Sequence, residues 1–391
     1  MQVRNRKNLE LSIMLGSLGF SVMSFILPIY GKRIGGSAFA IGGLFSIFSI
    51  VTLILRPIIG VALDRYGRKY FFVLSFIFYS ISMMIFSNAT SIMHLYISRL
   101  IQAIGSSFMW ISAYSIATDI SEDCRRGNVL GNIDGASAKG SLYGAVIGFI
   151  LLSNYSFTKG TNILFKSYGV LALIAAYIAF KRISETRVEI TNNERKLKKK
   201  YSGDFYILMI VVLITTISTS MLNPLLMIYL QDKFTNNIGA LATAFLPAAL
   251  IYAYLPSKFG GISDKYGRIP LMVIGLIFSS VVSLLLGNIF SINMLISLWA
   301  LEAIASVMAS PAQEALVSEM IGDNHKGSGY GVYMFVASLG ASIGPLLGGW
   351  LYDNFNNSIP FYINGIILFL NALLVLFAFK NRIKKPVYFD T

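Results

Sequence analysis

Five ionisable residues stand inside long apolar runs of this 391-residue sequence: Arg56, Arg99, Asp134, Lys139 and Glu302. A charge at the centre of a membrane helix costs about 2.5–3.5 kcal/mol on insertion scales, so each calls for a partner or a task. A carboxylate in such a place can do proton chemistry. Desolvation favours the neutral acid and an approaching cation favours the anion, so a change of surroundings loads or releases a proton. Glu302 and Asp134 are the candidates for that work; for Glu302 a standing ion pair with Lys139 or Arg99 is the alternative. A guanidinium keeps its proton, which leaves Arg99 an electrostatic role toward a nearby acid or an anionic group. Gln102 follows it at i+3, on the same helix face. Asp134 and Lys139 lie about 140° apart around a helix and are expected to seek partners on other helices. Arg56 precedes Pro57 and is expected to snorkel, or to satisfy carbonyls that the proline frees. Phe25, Tyr30, Gln102, Phe108, Trp110, Tyr114, Asn223 and Trp299 form the candidate lining of a substrate cavity. That set suits a lipophilic or cationic molecule better than a sugar, which needs more polar partners.

The elements that must hold these residues are membrane helices. The chain is 55% apolar and only 13% charged, with a mean hydropathy of +0.67, outside the range of soluble domains. Apolar runs bounded by charge, glycine or proline fall near 9–31, 40–63, 70–89, 92–119, 128–153 and 162–181, then near 204–230, 238–262, 271–288, 292–320, 327–353 and 359–380. Each can cross a hydrocarbon core of about 30 Å at 1.5 Å per residue. The expected architecture is all-α, with twelve spans in two six-helix bundles: 1–181, then a cytoplasmic basic linker at 182–203, then 204–391. Lys and Arg cluster at the N-terminus, in the short loops holding Arg65, Arg68, Lys69, Arg125, Arg126, Lys265, Arg268 and Lys326, and in the linker and tail. That bias predicts cytoplasmic termini, and it accounts for the net charge of +14 without nucleic acid. The basic N-terminus leads straight into a full span, so no removable signal is expected. One cysteine and two histidines argue against a disulfide or a metal centre, and no cofactor is expected.

An internal repeat organises the charges. "GVALDRYGRK" begins at Gly60 and "GGISDKYGRI" at Gly260, and the offset of 200 residues continues without a gap. It pairs Gln102 with Glu302, Asp119 with Glu319, Gly144 with Gly344 and Gly148 with Gly348. Six spans followed by six like them, in one orientation, imply halves related by an axis along the membrane normal, the geometry of alternating access. In each repeated turn Gly60 is expected to allow close helix approach and Gly67 a left-handed backbone. Asp64 can meet the positive N-terminus of the eleventh span, a contact worth about 0.3–2 kcal/mol. Arg68 has a candidate acid in Asp119, as Arg268 has in Glu319.

Those residues resemble the major facilitator superfamily over essentially the whole chain. Gly60, Asp64, Arg65, Gly67, Arg68 and Lys69 are similar to its motif A. "RLIQAIG" from Arg99 resembles a helix 4 pattern of the twelve-helix drug:proton antiporter branch, and "GPLLGG" from Gly344 its glycine-proline motif. The first-half counterpart "GAVIGF" lacks the proline, and the first span has no acid beyond Glu10. The resemblance implies a secondary transporter, acting as a monomer in the cell membrane on a small-molecule substrate and protons, most simply an exporter of lipophilic compounds. It also implies a conformational latch at the two turns, formed by Gly60, Asp64, Arg65, Gly67, Arg68 and Asp119 with Asp264, Arg268 and Glu319. Nutrient uptake by symport and a non-transporting receptor are the competing readings. No phosphate-binding loop for an ATP-driven pump is present.

Overall fold

The computed structural model describes residues 2–120, 126–186, 201–234, 238–321 and 326–380. Most of the expected linker and tail, and the side chain of Asp64, lie outside the described residues. Every regular element described is a helix: α1 (Gln2–Gly16), α2 (Phe20–Arg33), α3 (Ala38–Tyr66), α4 (Lys69–Ser87), α5 (Ile92–Ile120), α6 (Arg126–Asn154) and α7 (Phe157–Arg182). These are followed by α8 (Gly203–Lys233), α9 (Ile238–Tyr254), α10 (Pro256–Tyr266), α11 (Arg268–Leu286), α12 (Ile292–Ile321), α13 (Lys326–Asn354) and α14 (Ile359–Ala378).

Twelve apolar runs become fourteen helices because two crossings are broken. The first divides into α1 and α2 at Ser17–Gly19, where the Phe20 amide turns back onto the Ser17 carbonyl at 3.1 Å. The eighth divides into α9 and α10 at Leu255, directly before Pro256, which has no amide hydrogen to continue the ladder. Each of the other ten is long and apolar enough to span a bilayer alone.

One compact unit is formed by Met1–Gly36 with Ile47–Arg195, the other by Ser37–Ser46 with Lys196–Thr391. α3 is thus shared, its first residues belonging to the second unit and the remainder to the first. In the first unit α4 packs on α5 and α7, around buried Phe72, Phe76, Phe86 and Phe165. In the second, α8 packs on α13 and α11 on α12, around Phe205, Val212, Met272, Leu316 and Phe379. Short hydroxyls tie neighbouring spans: Ser82 Oγ donates to the Ser98 carbonyl at 2.9 Å, and Ser283 Oγ to the Phe361 carbonyl at 2.8 Å. Ile54, Ile58, Val61, Leu142, Ile150 and Phe377 point outward, the inverse of a soluble surface.

Candidate functional site

The second unit encloses a cavity of about 350 Å³ lined from α8, α9, α12, α13 and α14. Its acid is Glu302, 8% exposed on α12. Trp299 and Ser306 share its face at i−3 and i+4. Glu302 Oε1 accepts hydrogen bonds from Ser279 of α11 and, at 3.4 Å, from Ser306; buried Oε2 has no hydrogen-bond partner among the described residues. Asn223, Phe245, Tyr252 and Trp299 complete the wall, with Phe245 and Trp299 edge-on at 5.7 Å between ring centres. None of the described lining residues is basic. A carboxylate with one bare oxygen in an aromatic wall is a poor place for an uncompensated anion and a good one for a proton or an organic cation. The structure therefore brings together Asn223, Trp299 and Glu302 from the sequence candidates. Phe245, Tyr252, Ser279 and Ser306 went unread; Ser306 alone left a signal, its i+4 spacing from Glu302.

In the first unit the candidates divide. Arg99 is 6% exposed on α5; its Nη1 donates to Gln102 Oε1 at 2.6 Å, and its guanidinium lies 4.3 Å from the centre of the Phe48 ring. Trp110 stacks on Tyr114 at 5.4 Å, and the Tyr114 hydroxyl donates to Asp134 Oδ1 at 2.6 Å. That joins α5 to α6 and supplies the partner on another helix that Asp134 needs. Lys139 is exposed on α6. Arg56 is half-buried with its Nε unsatisfied. Three aromatic candidates pack against neighbouring rings or backbone carbonyls. Phe25 lies against Phe149, and Phe108 is held edge-on by Phe71 and Phe78. The Tyr30 hydroxyl donates to the Phe86 and Ala89 carbonyls, at 3.2 and 2.7 Å, while its ring packs on Phe157 and Phe165.

The two repeated turns have a shared backbone. Gly67 and Gly267 both take positive φ, +93° and +96°, where a side chain is strained. Arg68 pairs with Asp119, and Arg268 Nε lies 2.9 Å from Glu319 Oε1, with Nη2 3.6 Å from Asp264. Arg65 is exposed over the Tyr66 ring. A Cβ built on Gly60 meets nothing within 4 Å among the described residues.

The first turn also has a member that no motif marked. Glu185, just past α7, accepts hydrogen bonds from the backbone amides of Arg68 at 2.9 Å and Lys69 at 3.1 Å, and Thr186 Oγ1 donates to Asp119 Oδ2 at 2.8 Å. α4 has Arg68 as its N-cap, whose side chain makes no capping bond, so the first amides need an acceptor from elsewhere. Glu185→Ala is expected to cost about 1 kcal/mol, the value of a typical cap. Denaturant unfolding in detergent would show it.

Comparison with known proteins agrees with this construction. The sequence profile described as Major Facilitator Superfamily matches residues 9–257 and 208–390. Multidrug resistance protein 1 of Bacillus subtilis (strain 168) is 25% identical over 382 residues, covering 95% of this chain and 96% of that protein. The human synaptic vesicular amine transporter is 27% identical over 315 residues, covering 79% of this chain and 60% of its own. Among solved structures, a bacterial homolog to the human lysosomal transporter Spinster, inward-facing and occupied, superposes with a TM-score of 0.80 at 17% identity, covering 98% of each chain. With a family profile that spans nearly all of its length, this chain belongs to the Major Facilitator Superfamily, a family of membrane transporters.

Proposed function

We propose that the protein is a proton-coupled exporter of small lipophilic compounds, with organic cations as its preferred cargo, acting as a monomer in the cell membrane with both termini cytoplasmic. The observation that carries this reading is Glu302, an acid with one oxygen unpartnered, in an aromatic cavity that no basic residue lines, among the described residues. Neutral Glu302 carries a proton; ionised Glu302 offers a negative charge to a cation, while Phe245, Tyr252 and Trp299 supply π faces. Proton and cargo therefore compete for the same oxygen, and alternating access turns that competition into exchange. Asp134, held by Tyr114, is the second acid in a position to take part. Arg99 and Lys139 act on the local field, and the turns at Arg68 and Arg268 serve as reversible inner latches. The names of the relatives, a multidrug resistance protein and an amine transporter, support an organic and often cationic cargo.

The test is reconstitution into proteoliposomes with an imposed pH gradient and a panel of lipophilic cations, neutral drugs and polar nutrients. Movement of lipophilic cations toward the acidic compartment, abolished when the gradient is collapsed, is the expected result. Nutrient movement down the proton gradient, with no drug transport, would establish symport and end this reading.

A further inference from the structure

The cavity around Glu302 has a second polar wall, on α8, and the hydrogen bonds made there fix what that wall offers. A hydroxyl carries one proton and two lone pairs. Thr216 Oγ1 donates to the Val212 carbonyl at 2.8 Å, Thr219 Oγ1 to the Thr215 carbonyl at 3.0 Å, and Ser220 Oγ to the Thr216 carbonyl. All three line the cavity with their protons turned back onto their own helix. Ser306 spends its proton on Glu302 Oε1, which makes the Tyr252 hydroxyl, bonded to Ser306, the donor of that pair. Every hydroxyl lining the cavity among the described residues therefore shows it lone pairs. Asn364 is largely committed as well: Oδ1 accepts from Ser218, and Nδ2 donates at 2.9 Å to Ser283 Oγ, whose own proton goes to the Phe361 carbonyl. Donors toward the cavity are left to the amides of Asn223 and Asn364 and the indole of Trp299, against five hydroxyl oxygens and the Glu302 carboxylate as acceptors.

Such a wall favours cargo that brings its own N–H and O–H groups, because an acceptor faced by a methyl group loses its water and gains no partner. We infer that the cavity selects a protonated primary or secondary amine carrying a second donor, with the ammonium N–H groups going to Glu302 and the further N–H or O–H to the lone pairs of Thr216, Thr219 and Ser220. This rests on the proposed export of organic cations and narrows its cargo. A quaternary ammonium ion answers the charge of Glu302 but has no hydrogen to give the acceptors. The two ends of the cargo are read by separate elements, α12 for the charge and α8 for the donor. Each bond back to the helix also holds its hydroxyl in one orientation, so the lone pairs are in place before the cargo arrives.

The test is equilibrium binding to purified full-length protein in detergent, measured by calorimetry with no gradient imposed, so that it does not depend on proton coupling. The probes are phenylpropylamine, its para-hydroxy and para-methoxy derivatives, and the N-trimethyl form of each. The para-hydroxyl is expected to tighten binding roughly three- to tenfold over the parent, the worth of one neutral hydrogen bond, whereas the methoxy group, which accepts and cannot donate, gains nothing. N-trimethylation is expected to weaken every member at least roughly tenfold, since it removes hydrogen bonds to a charged group. Thr216→Val with Thr219→Val keeps the shape of the wall and removes its lone pairs; the hydroxyl advantage should vanish while the penalty for trimethylation stays. The comparison of probes on wild-type protein needs no variant. Hydroxy and methoxy forms that bind alike, or trimethyl ions that bind as tightly as the amines, overturn the inference and leave the proposed function standing. A hydroxyl advantage that survives in a double variant with an unchanged melting profile places the donor site off α8 and overturns it too. Binding by none of the six cations would sink the proposed function, and this inference with it.

Discussion

Glu302→Gln is expected to abolish proton-driven export, lowering gradient-dependent flux by on the order of 100-fold, while the purified protein keeps its unfolding midpoint. Glutamine has nearly the same shape and can still accept from Ser279 and Ser306, so packing is preserved. It can take neither the transported proton nor a negative charge. The variant therefore mimics one half of the cycle permanently. Two consequences separate this account from a merely structural role. Exchange of a neutral cargo, which needs no proton, should survive, and cationic cargo should lose affinity. The pH profile should also change shape. Wild-type flux falls when both faces are acidic enough to keep Glu302 neutral, and falls again when both are alkaline enough that it never loads, whereas the variant's profile is flat. A Gln variant that still couples to the gradient would move the proton site elsewhere, with Asp134 the first place to look.

The sequence made the spans legible, because a membrane crossing is written locally, as about twenty apolar residues between polar ends. It made Glu302 legible as well: the repeat sets it against Gln102, and charge within an apolar run is conspicuous. Less legible were contacts in which one partner is the backbone. Glu185 meets amides 116 and 117 residues earlier, and an N–H has no signature in the sequence. The acid reads in isolation as an ordinary charge at a helix end. The aromatic candidates are hard to read for a related reason. Phe25, Tyr30 and Phe108 have the composition of a cavity wall, but only neighbouring rings decide whether such a residue faces open space or fills it. Gly60 carried a motif match, which cannot tell whether a glycine makes room for a neighbour or simply has none.

That distinction among glycines gives the largest expected effect on stability. α6 carries Gly140, Gly144 and Gly148, and α13 carries Gly340, Gly344 and Gly348 at the same spacing of four, a small-xxx-small stripe on each helix. The stripes are where backbone meets backbone. A Cβ on Gly144 would overlap the Leu18 carbonyl, and one on Gly344 would overlap the Ile217 carbonyl. A Cβ on Gly148 would come no nearer than 3.3 Å, and only to the Val22 side chain, which can give way. Gly144→Ala and Gly344→Ala are therefore expected to destabilise by about 3 kcal/mol or more, at the upper end of overpacking, since a carbonyl fixed in a helix or turn cannot turn aside. Gly148→Ala should cost under about 1 kcal/mol. Gly60→Ala should go the other way, gaining about 0.5–1 kcal/mol, because alanine is the better helix former and nothing stands in its path. Denaturant unfolding of the four variants in one detergent would test the order. Equal midpoints for Gly144→Ala and Gly148→Ala would show that α6 does not depend on close approach at Leu18. The glycines shared by the two halves would then need an explanation other than packing.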